Sequence, residues 1–143
     1  MEETQERLLN HEAVKIEIGQ PALPFADLDP EVKLAIEMAA DRKALDMRVL
    51  DLRDVASFTE FFVICSGTNQ RQVQAIADQI EEQLKKQLST KPVRIEGYST
   101  ADWVLMDYGD FIVHIFNKEA REFYDLERLW RDARKVDVPA ELL

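Results

Sequence analysis

Two carboxylates and a histidine lie close to a tryptophan in the sequence: Asp107, Asp110 and His114 follow Trp103 within a dozen residues. A histidine beside carboxylates can act as a general base or as a metal ligand. No Ser or Cys nucleophile accompanies them, so a set of nucleophile, base and orienting group cannot be assembled. Catalysis by His114 is therefore the weaker hypothesis, and a structural or interfacial role is the stronger one.

These residues lie in a predicted β-hairpin. The apolar runs Trp103–Met106 and Phe111–Phe116 flank Tyr108-Gly109. A short turn that contains glycine between two apolar runs is typical of a hairpin. The turn type stays open, and a loop of three residues would pair the strands differently from a loop of two.

The register of the hairpin divides its side chains between two faces of a sheet, because successive side chains of a strand alternate. A two-residue loop predicts that three cross-strand pairs share one face. These pairs are Asp107 with Asp110, Leu105 with Ile112, and Trp103 with His114. The other face then carries only apolar residues and is predicted to be core. Its members are Val104, Met106, Phe111 and Val113.

Trp103 is the most informative residue of the mixed face. Base rates favour a core tryptophan. However, burial would leave two aspartates without partners, which is costly, and an aromatic anchor with aliphatic neighbours and a charged rim is typical of an interface. We therefore predict a partner-binding face on which Trp103 points outward. Burial of this face in a homodimer of the chain is an open alternative.

The overall charge indicates the kind of partner. The 143 residues carry a net charge of −10, which argues against general affinity for phosphate backbones, so no direct sequence-specific binding of nucleic acid is expected. A strongly acidic surface favours a basic partner. The single cysteine, Cys65, excludes an intrachain disulfide and is predicted to be an inert core thiol.

Neither a cofactor, a metal nor a membrane is expected. The sequence contains no Cys/His array with zinc-ligand spacing. The longest apolar run, Phe61–Cys65, is far shorter than the roughly 20 residues of a spanning helix. Because the N-terminus is acidic and lacks the pattern of a signal peptide, a cytoplasmic location is predicted.

The order of predicted elements indicates one α/β (α+β) domain over residues 29–135, with a mixed five-stranded sheet flanked by helices. Residues 1–28 are predicted to be an extension, with a short helix near Glu6–Val14 and a turn-rich part at Ile18–Phe25, and residues 136–143 a loose tail. The predicted strands are Leu45–Leu52, Phe61–Cys65, Val93–Glu96 and the two of the hairpin. The predicted helices begin at Asp29-Pro30-Glu31, at Gln70 and after Asn117, and the last buries Phe123, Leu126, Trp130 and Ala133 on one face.

The segment Ser66-Gly67-Thr68 joins a predicted strand to a helix, where backbone N–H groups can bind an anion. One glycine is a weak signal, so a tight turn with a helix cap is the favoured interpretation. Nucleotidyltransferases combine such a turn with two metal-binding carboxylates on the next strand, but Val93–Glu96 contains only one. A metal-dependent nucleotidyltransferase that uses Asp107 and Asp110 is the alternative hypothesis.

Several short motifs occur together between Val32 and Trp130, in an order and spacing that are highly specific. They are Phe61–Cys65 with Ser66-Gly67-Thr68-Asn69, Arg71, Glu96-Gly97, Ala101-Asp102-Trp103, Asp107-Tyr108-Gly109-Asp110, Val113-His114, Arg121–Glu127 and Leu129-Trp130. On these motifs the sequence resembles the ribosomal silencing factor family, also called Iojap-like proteins. It departs from the family mainly in its longer N-terminus, whose role the resemblance does not reveal.

The resemblance implies a fold related to nucleotidyltransferases, without their catalytic carboxylates or activity. It implies a non-enzymatic translational repressor that binds the large ribosomal subunit through the ribosomal protein L-fourteen. Occupying that surface would block the small subunit sterically when nutrients are scarce, and the family is also linked to homodimers and to large-subunit biogenesis. The matching positions imply partner-binding roles for Glu96, Gly97, Asp102, Trp103, Asp107 and His114, and the register adds Leu105, Tyr108 and Ile112.

Overall fold

Seven strands form one sheet in the computed structural model, which describes residues 1–14 and 20–143. The strands are β1 (Leu23–Pro24), β2 (Leu45–Asp51), β3 (Phe61–Gly67), β4 (Arg94–Glu96), β5 (Trp103–Asp107), β6 (Phe111–Asn117) and β7 (Arg134–Asp137). Their order across the sheet is β1-β7-β2-β3-β6-β5-β4. The sheet is mixed, because β1 with β7 and β3 with β6 are parallel while the other neighbours are antiparallel.

Five α-helices accompany the sheet within the described ranges: α1 (Glu3–Leu9), α2 (Pro30–Asp41), α3 (Gln70–Leu88), α4 (Lys118–Tyr124) and α5 (Leu126–Leu129). Local sequence fixes where they begin. Proline occupies the first turn of α2, where its missing N–H costs no helical hydrogen bond. Asn69 caps α3 by accepting from the backbone N–H of Gln72 at 2.8 Å, and Asn117 caps α4 by accepting from Ala120 at 2.7 Å.

The sheet separates two hydrophobic cores. The first face of the sheet packs against α2 and α3, and its core includes Val63, Cys65, Val104, Val113 and Ile80. The second face packs against α1, α4, α5 and the segment after α5, and its core includes Leu8, Phe62, Trp103, Ile112 and Trp130. The mixed sheet with helices on both sides confirms the predicted α/β class.

The predicted count of five strands is wrong, because β1 lies in the predicted extension and β7 crosses the predicted boundary between the domain and the tail. Leu23 of β1 pairs with Val136 of β7, and β7 in turn pairs with β2. Both strands are short and neither shows an alternating pattern. Tertiary pairing, rather than any local preference, makes them strands.

The ends of the chain also differ from prediction. The first helix spans Glu3–Leu9 rather than Glu6–Val14, and the predicted turn-rich part Ile18–Phe25 lies partly outside the described residues. The last helix is broken at Asp125, which has a φ of 50°. As a result Phe123 is 80% exposed and does not share the buried face of Leu126.

The central elements agree with prediction. Helix α3 covers Gln70–Leu88, and its predicted apolar stripe, which includes Val73, Ile76 and Leu84, is buried. Strand β3 is buried along its whole length, as expected for a central strand. Within residues 1–14 and 20–143, no helix has both the length and the apolar character needed to cross a membrane.

Candidate partner-binding face

The hairpin pairs Trp103 with Phe116 and Asp107 with Ile112. Each predicted pair is therefore wrong by two residues, and the loop is longer than two residues, with Tyr108 N donating to the Phe111 carbonyl at 2.9 Å. A shift of two keeps the strand side chains on their predicted faces, because the period of a strand is two. Asp110 instead falls in the exposed loop and leaves the mixed face.

The prediction that Trp103 points outward is wrong for this structure. Its side chain lies on the second face and is only 3% exposed. Leu105, Ile112 and His114 beside it are equally buried. The two aspartates do not share this face, because Asp110 lies in the loop, so burial of Trp103 does not leave a pair of aspartates without partners.

His114 is held as a neutral imidazole. Trp103 Nε1 donates to His114 Nδ1 at 3.1 Å, and complete burial lowers the pKa of His114 to about 3. The ring of Phe62 stands at a steep angle to it, 4.6 Å away between centroids. Nε2 of His114 has no hydrogen-bond partner among the described residues. The geometry therefore gives His114 a structural role beneath Trp103.

Glu96 and Gly97 end the edge strand β4 beside Trp103. The carboxylate of Glu96 is buried and accepts from the backbone N–H of Gln5 at 3.2 Å. Gly97 has a φ of 76°, and a Cβ there would collide with the carbonyl oxygen of Trp103. A glycine is required because both the backbone conformation and the close approach exclude a side chain.

The exposed acidic residue at this end of the hairpin is Asp102. Its side chain accepts from Asn117 Nδ2 at 2.8 Å, and its carbonyl accepts from Asn117 N at 2.9 Å. One carboxylate oxygen therefore has a neutral donor, and the charge faces solvent. Asp102 is available to a cationic side chain of a partner.

Asp107 and Tyr108 lie at the opposite end of β5, close to the loop. Asp107 is half-buried, accepts from Gly109 N at 2.8 Å and lies 3.7 Å from Arg94 Nε. Tyr108 stacks on Phe111 at 4.8 Å between ring centroids and packs against the first core. Burial raises the pKa of Tyr108. Asp107 and Tyr108 are thus half-buried, whereas Asp102 is exposed.

A cleft of about 510 Å³ opens beside Asp102 and reaches the edge of Trp103. Its wall on the far side is Tyr124, whose ring centroid lies 5.0 Å from that of Trp103. The loop residues 97–100 and the N-terminal residues Glu2 and Gln5 also line the cleft. Trp103, although buried, therefore lines a cleft that is open to solvent.

Several residues of this region were not predicted from the sequence. Gln5 is buried and its Nε2 donates to the Trp103 carbonyl at 2.9 Å. His11 stacks on Trp130 with a centroid distance of 3.5 Å and contacts the buried Asp132 at 3.0 Å. The spacing of Gln5 and Leu8 on one side of α1 is the only sequence signal that could have indicated this packing.

The features that suggested a nucleotidyltransferase do not come together. Strands β3 and β6 are parallel, so Thr68 follows one end of the sheet while Asp110 precedes β6 at the other. Eight residues of extended chain separate the two levels, which places these positions roughly 25 Å apart. Thr68 N and Oγ both donate to Gln72 Oε1, at 2.6 and 2.8 Å, as expected for a turn with a helix cap. Among the described residues, no three metal-ligating side chains form a cluster.

The protein is thus a small α/β domain whose sheet has two unlike faces. One face packs an apolar core, and the other buries a cluster of aromatic and polar side chains beside the exposed carboxylate of Asp102. The family model described as "Ribosomal silencing factor during starvation" matches residues 26–142. The chain therefore belongs to the ribosomal silencing factor family, as the sequence motifs predicted.

Relatives from bacteria and organelles support this membership. A ribosomal silencing factor RsfS of Halalkalibacterium halodurans is 39% identical over 107 residues, which are 75% of this chain and 91% of that protein. The chloroplast protein Iojap of Zea mays is 31% identical over 94% of this chain and 61% of its own. The mouse protein named "Mitochondrial assembly of ribosomal large subunit protein 1" is 30% identical over 79% of this chain and 52% of its own.

A solved structure has the same fold. The crystal structure of a Chromobacterium violaceum protein superposes with a TM-score of 0.69 at 34% identity, covering 77% of this chain and 88% of that one. The match supports the mixed α/β architecture described above.

Proposed function

We propose that this protein is a translational repressor that binds the large ribosomal subunit and sterically blocks association with the small subunit, slowing translation when nutrients are limiting. The observation that carries the proposal is the family match across residues 26–142. The name of the mouse relative supports an additional role in large-subunit biogenesis. Steric blocking needs bulk at the right place and no cofactor.

The proposed partner is the ribosomal protein L-fourteen, through a basic surface. The net charge of −10 favours such a partner because opposite potentials steer association. Asp102 is exposed and carries an unneutralised charge, so it is the residue best placed to meet a lysine or arginine. Binding of this kind should weaken as salt is added.

The proposed partner-binding residues form two layers. The accessible layer meets the partner directly and consists of Gly97, Asp102, Asp107 and Tyr108. The buried layer shapes that surface and consists of Glu96, Trp103, Leu105, Ile112 and His114. The division follows from burial, since the second group is at most 5% exposed.

The test is sedimentation of the protein with isolated ribosomal subunits. Because Trp103 is buried, Trp103→Ala would also disturb the fold, so Asp102→Asn is the cleaner variant. It removes the charge and keeps the acceptor for Asn117. We expect about a three- to tenfold weaker association with large subunits and less inhibition of subunit joining.

The matched control is Asp27→Asn, which removes one exposed charge near the start of α2, on the first-face side of the sheet. It should bind and inhibit like the native protein. If the native protein fails to associate with large subunits, the proposed function is wrong. If both variants lose the same affinity, the effect comes from net charge and not from this face.

We also propose that the protein acts without catalysis on a fold related to nucleotidyltransferases. The separation of Thr68 from Asp110 supports this view, because a phosphoryl-transfer site needs its anion cradle and its metal carboxylates together. Calorimetry with Mg²⁺ and nucleoside triphosphates is the test. Micromolar binding that Asp107→Asn removes would favour the enzymatic alternative.

Two further properties belong to the proposal, a cytoplasmic location and a homodimer. The homodimer would use surface close to the partner-binding face, so self-association and ribosome binding would compete. Light scattering across a range of protein concentrations, with and without large subunits, measures this competition. A monomer at all concentrations would contradict the proposed homodimer.

A further inference from the structure

We propose that the N-terminal residues Glu2–Val14, the capping segment, cover the partner-binding face and must leave it for full binding of a basic partner. The inference rests on the proposed function, because it concerns access to the same face. The family match begins at residue 26, so the capping segment lies outside the part of the chain that matches the family model. The structure places it directly on the residues proposed to bind.

The first anchor of the capping segment is the end of strands β4 and β5. Gln5 N donates to Glu96 Oε1 at 3.2 Å, and Gln5 Nε2 donates to the Trp103 carbonyl at 2.9 Å. The carboxylate of Glu2 accepts from the backbone N–H of Gly97. Glu96, Gly97 and Trp103, three of the proposed partner-binding residues, are therefore each hydrogen-bonded to the capping segment.

The second anchor is apolar. Leu8 is 3% exposed and belongs to the same core as Trp103 and Ile112. Its carbonyl accepts from Trp130 Nε1 at 3.1 Å. Removal of α1 would therefore uncover one edge of the second core, and with it apolar surface next to Trp103.

The third anchor is Asp132, which is buried. His11 Nε2 lies 3.0 Å from one of its carboxylate oxygens, and Val14 N donates to the other at 2.7 Å. Within the described residues, the hydrogen bonds to the carboxylates of Asp132 and Glu96 all come from the capping segment. Two buried carboxylates thus depend on this segment for their donors.

The chemistry of these contacts points to a basic protein as the competitor. The capping segment reaches Glu96 through a neutral backbone N–H group. A lysine or arginine of a partner would make a charge-assisted hydrogen bond to the same oxygen, and such bonds are roughly twice as strong. The capping segment is itself acidic, with four glutamates against one arginine in residues 2–14, so its displacement by a basic surface is electrostatically favoured.

If the partner binds only molecules whose capping segment has left the face, the apparent affinity equals the intrinsic affinity multiplied by the fraction of such molecules. The variant that releases the segment is Gln5→Ala combined with Leu8→Ala, because it removes one polar and one apolar anchor without changing charge. In sedimentation with large subunits we expect this variant to bind about tenfold more tightly or better. The matched control is Asn10→Ala, which removes an exposed side chain whose hydrogen bond stays within α1 and should leave affinity unchanged.

Release is measured independently by tryptophan fluorescence of the full chain, because Trp103 and Trp130 both contact the capping segment. The double variant should shift the emission to longer wavelength and increase quenching by acrylamide, while far-ultraviolet circular dichroism shows that the sheet is retained. An unshifted emission in a folded double variant overturns the inference, because the segment would then not cover these residues.

The outcomes separate the two proposals. Tighter binding by the double variant supports the capping segment as a competitor. Equal or weaker binding by a folded and released variant overturns the inference and leaves the proposed function in place. If neither the native chain nor the released variant associates with large subunits, the proposed function itself fails.

Discussion

The two faces of the sheet are covered in different ways. Two helices of 12 and 19 residues, α2 and α3, cover the first face, whereas helices of 7, 7 and 4 residues cover the second. Helices this short are not stable alone and depend on docking. The second face also contains most of the buried polar side chains: Gln5, Ser66, Glu96, His114 and Asp132.

The difference supports the proposed division between a scaffold face and a partner-binding face. The first core is closed by the long amphipathic helices α2 and α3, so it contributes stability. The second core is closed by pieces that polar contacts hold in place, and such regions open at lower free energy than the rest of a domain. A covering of this kind suits the proposed role of the second face as the partner-binding face.

The largest expected effect is on the first face. Ile80 is fully buried, and Ile80→Ala should lower the free energy of unfolding by about 2–5 kcal/mol, measured by denaturant titration. Leu8→Ala on the second face should lower the free energy of unfolding by only about 1–2 kcal/mol. The loss is limited because α1 can detach while the rest of the domain stays folded. Equal losses for the two variants would contradict the contrast between the faces.

The next effect concerns Gly97 and Gly109, the glycines with positive φ among residues 1–14 and 20–143. Gly97→Ala should lower the free energy of unfolding by about 2–4 kcal/mol, because the new Cβ meets the Trp103 carbonyl in addition to the strained backbone. Gly109→Ala, with a φ of 87° and no atom near its Cβ, should cost about 1 kcal/mol. Thermal unfolding of both variants measures the difference, and similar midpoints would mean that the β4–β5 end is not tightly packed.

The third prediction concerns the pH dependence of the second face. The pKa of His114 is about 3 in the folded chain and about 6.5 when unfolded. The unfolded chain therefore binds the proton first, so stability from this group is complete above pH 6.5 and falls as the pH drops toward 3. Between these pH values the free energy of unfolding should rise with pH by up to about 1.4 kcal/mol per pH unit.

The comparison that isolates this histidine is His114→Gln, which retains an acceptor for Trp103 Nε1. Denaturant titrations between pH 4 and 7 should show a flatter pH dependence for the variant than for the native chain. If the two profiles have the same slope, His114 is not buried as a neutral group.

The smallest effect is a predicted absence of change on the first face. Burial raises the pKa of Cys65 to about 12, so its thiol should react with a disulfide reagent at pH 8 only when the domain opens. Leu8→Ala should change this reaction rate less than Ile80→Ala does, because α1 can detach while the first core stays closed. If Leu8→Ala raised the reaction rate of Cys65 as much as Ile80→Ala does, the two cores would open together.

The strong local patterns of the chain were sufficient to predict its central elements. The alternation of apolar residues fixed the two faces of the hairpin, and the 3.6-residue stripe with its cap fixed α3. Local sequence did not predict β1 and β7, because Leu23 and Val136 become strand residues only by pairing with each other. Nor could it place Trp103, since the burial of its ring depends on contacts with other elements, such as Tyr124 of α4 at 5.0 Å between ring centroids.

The sequence predicted which residues make up the candidate site, but not which of them are buried. The motifs identified the residue set, and the register error of two left their faces unchanged. Exposure of Asp102 and burial of Trp103 follow from tertiary packing, which no periodicity encodes. The polar contacts of Gln5 and Asp132 join distant parts of the chain and gave no readable pattern.

The most direct test of the division between the two faces is hydrogen–deuterium exchange of the full chain, alone and bound to large ribosomal subunits. We predict slower exchange at residues 96–103, faster exchange in the capping segment Glu2–Val14, and no change in α3. Protection that appears on α2 or α3 instead, with residues 96–103 unaffected, would contradict the assignment of the second face as the binding surface.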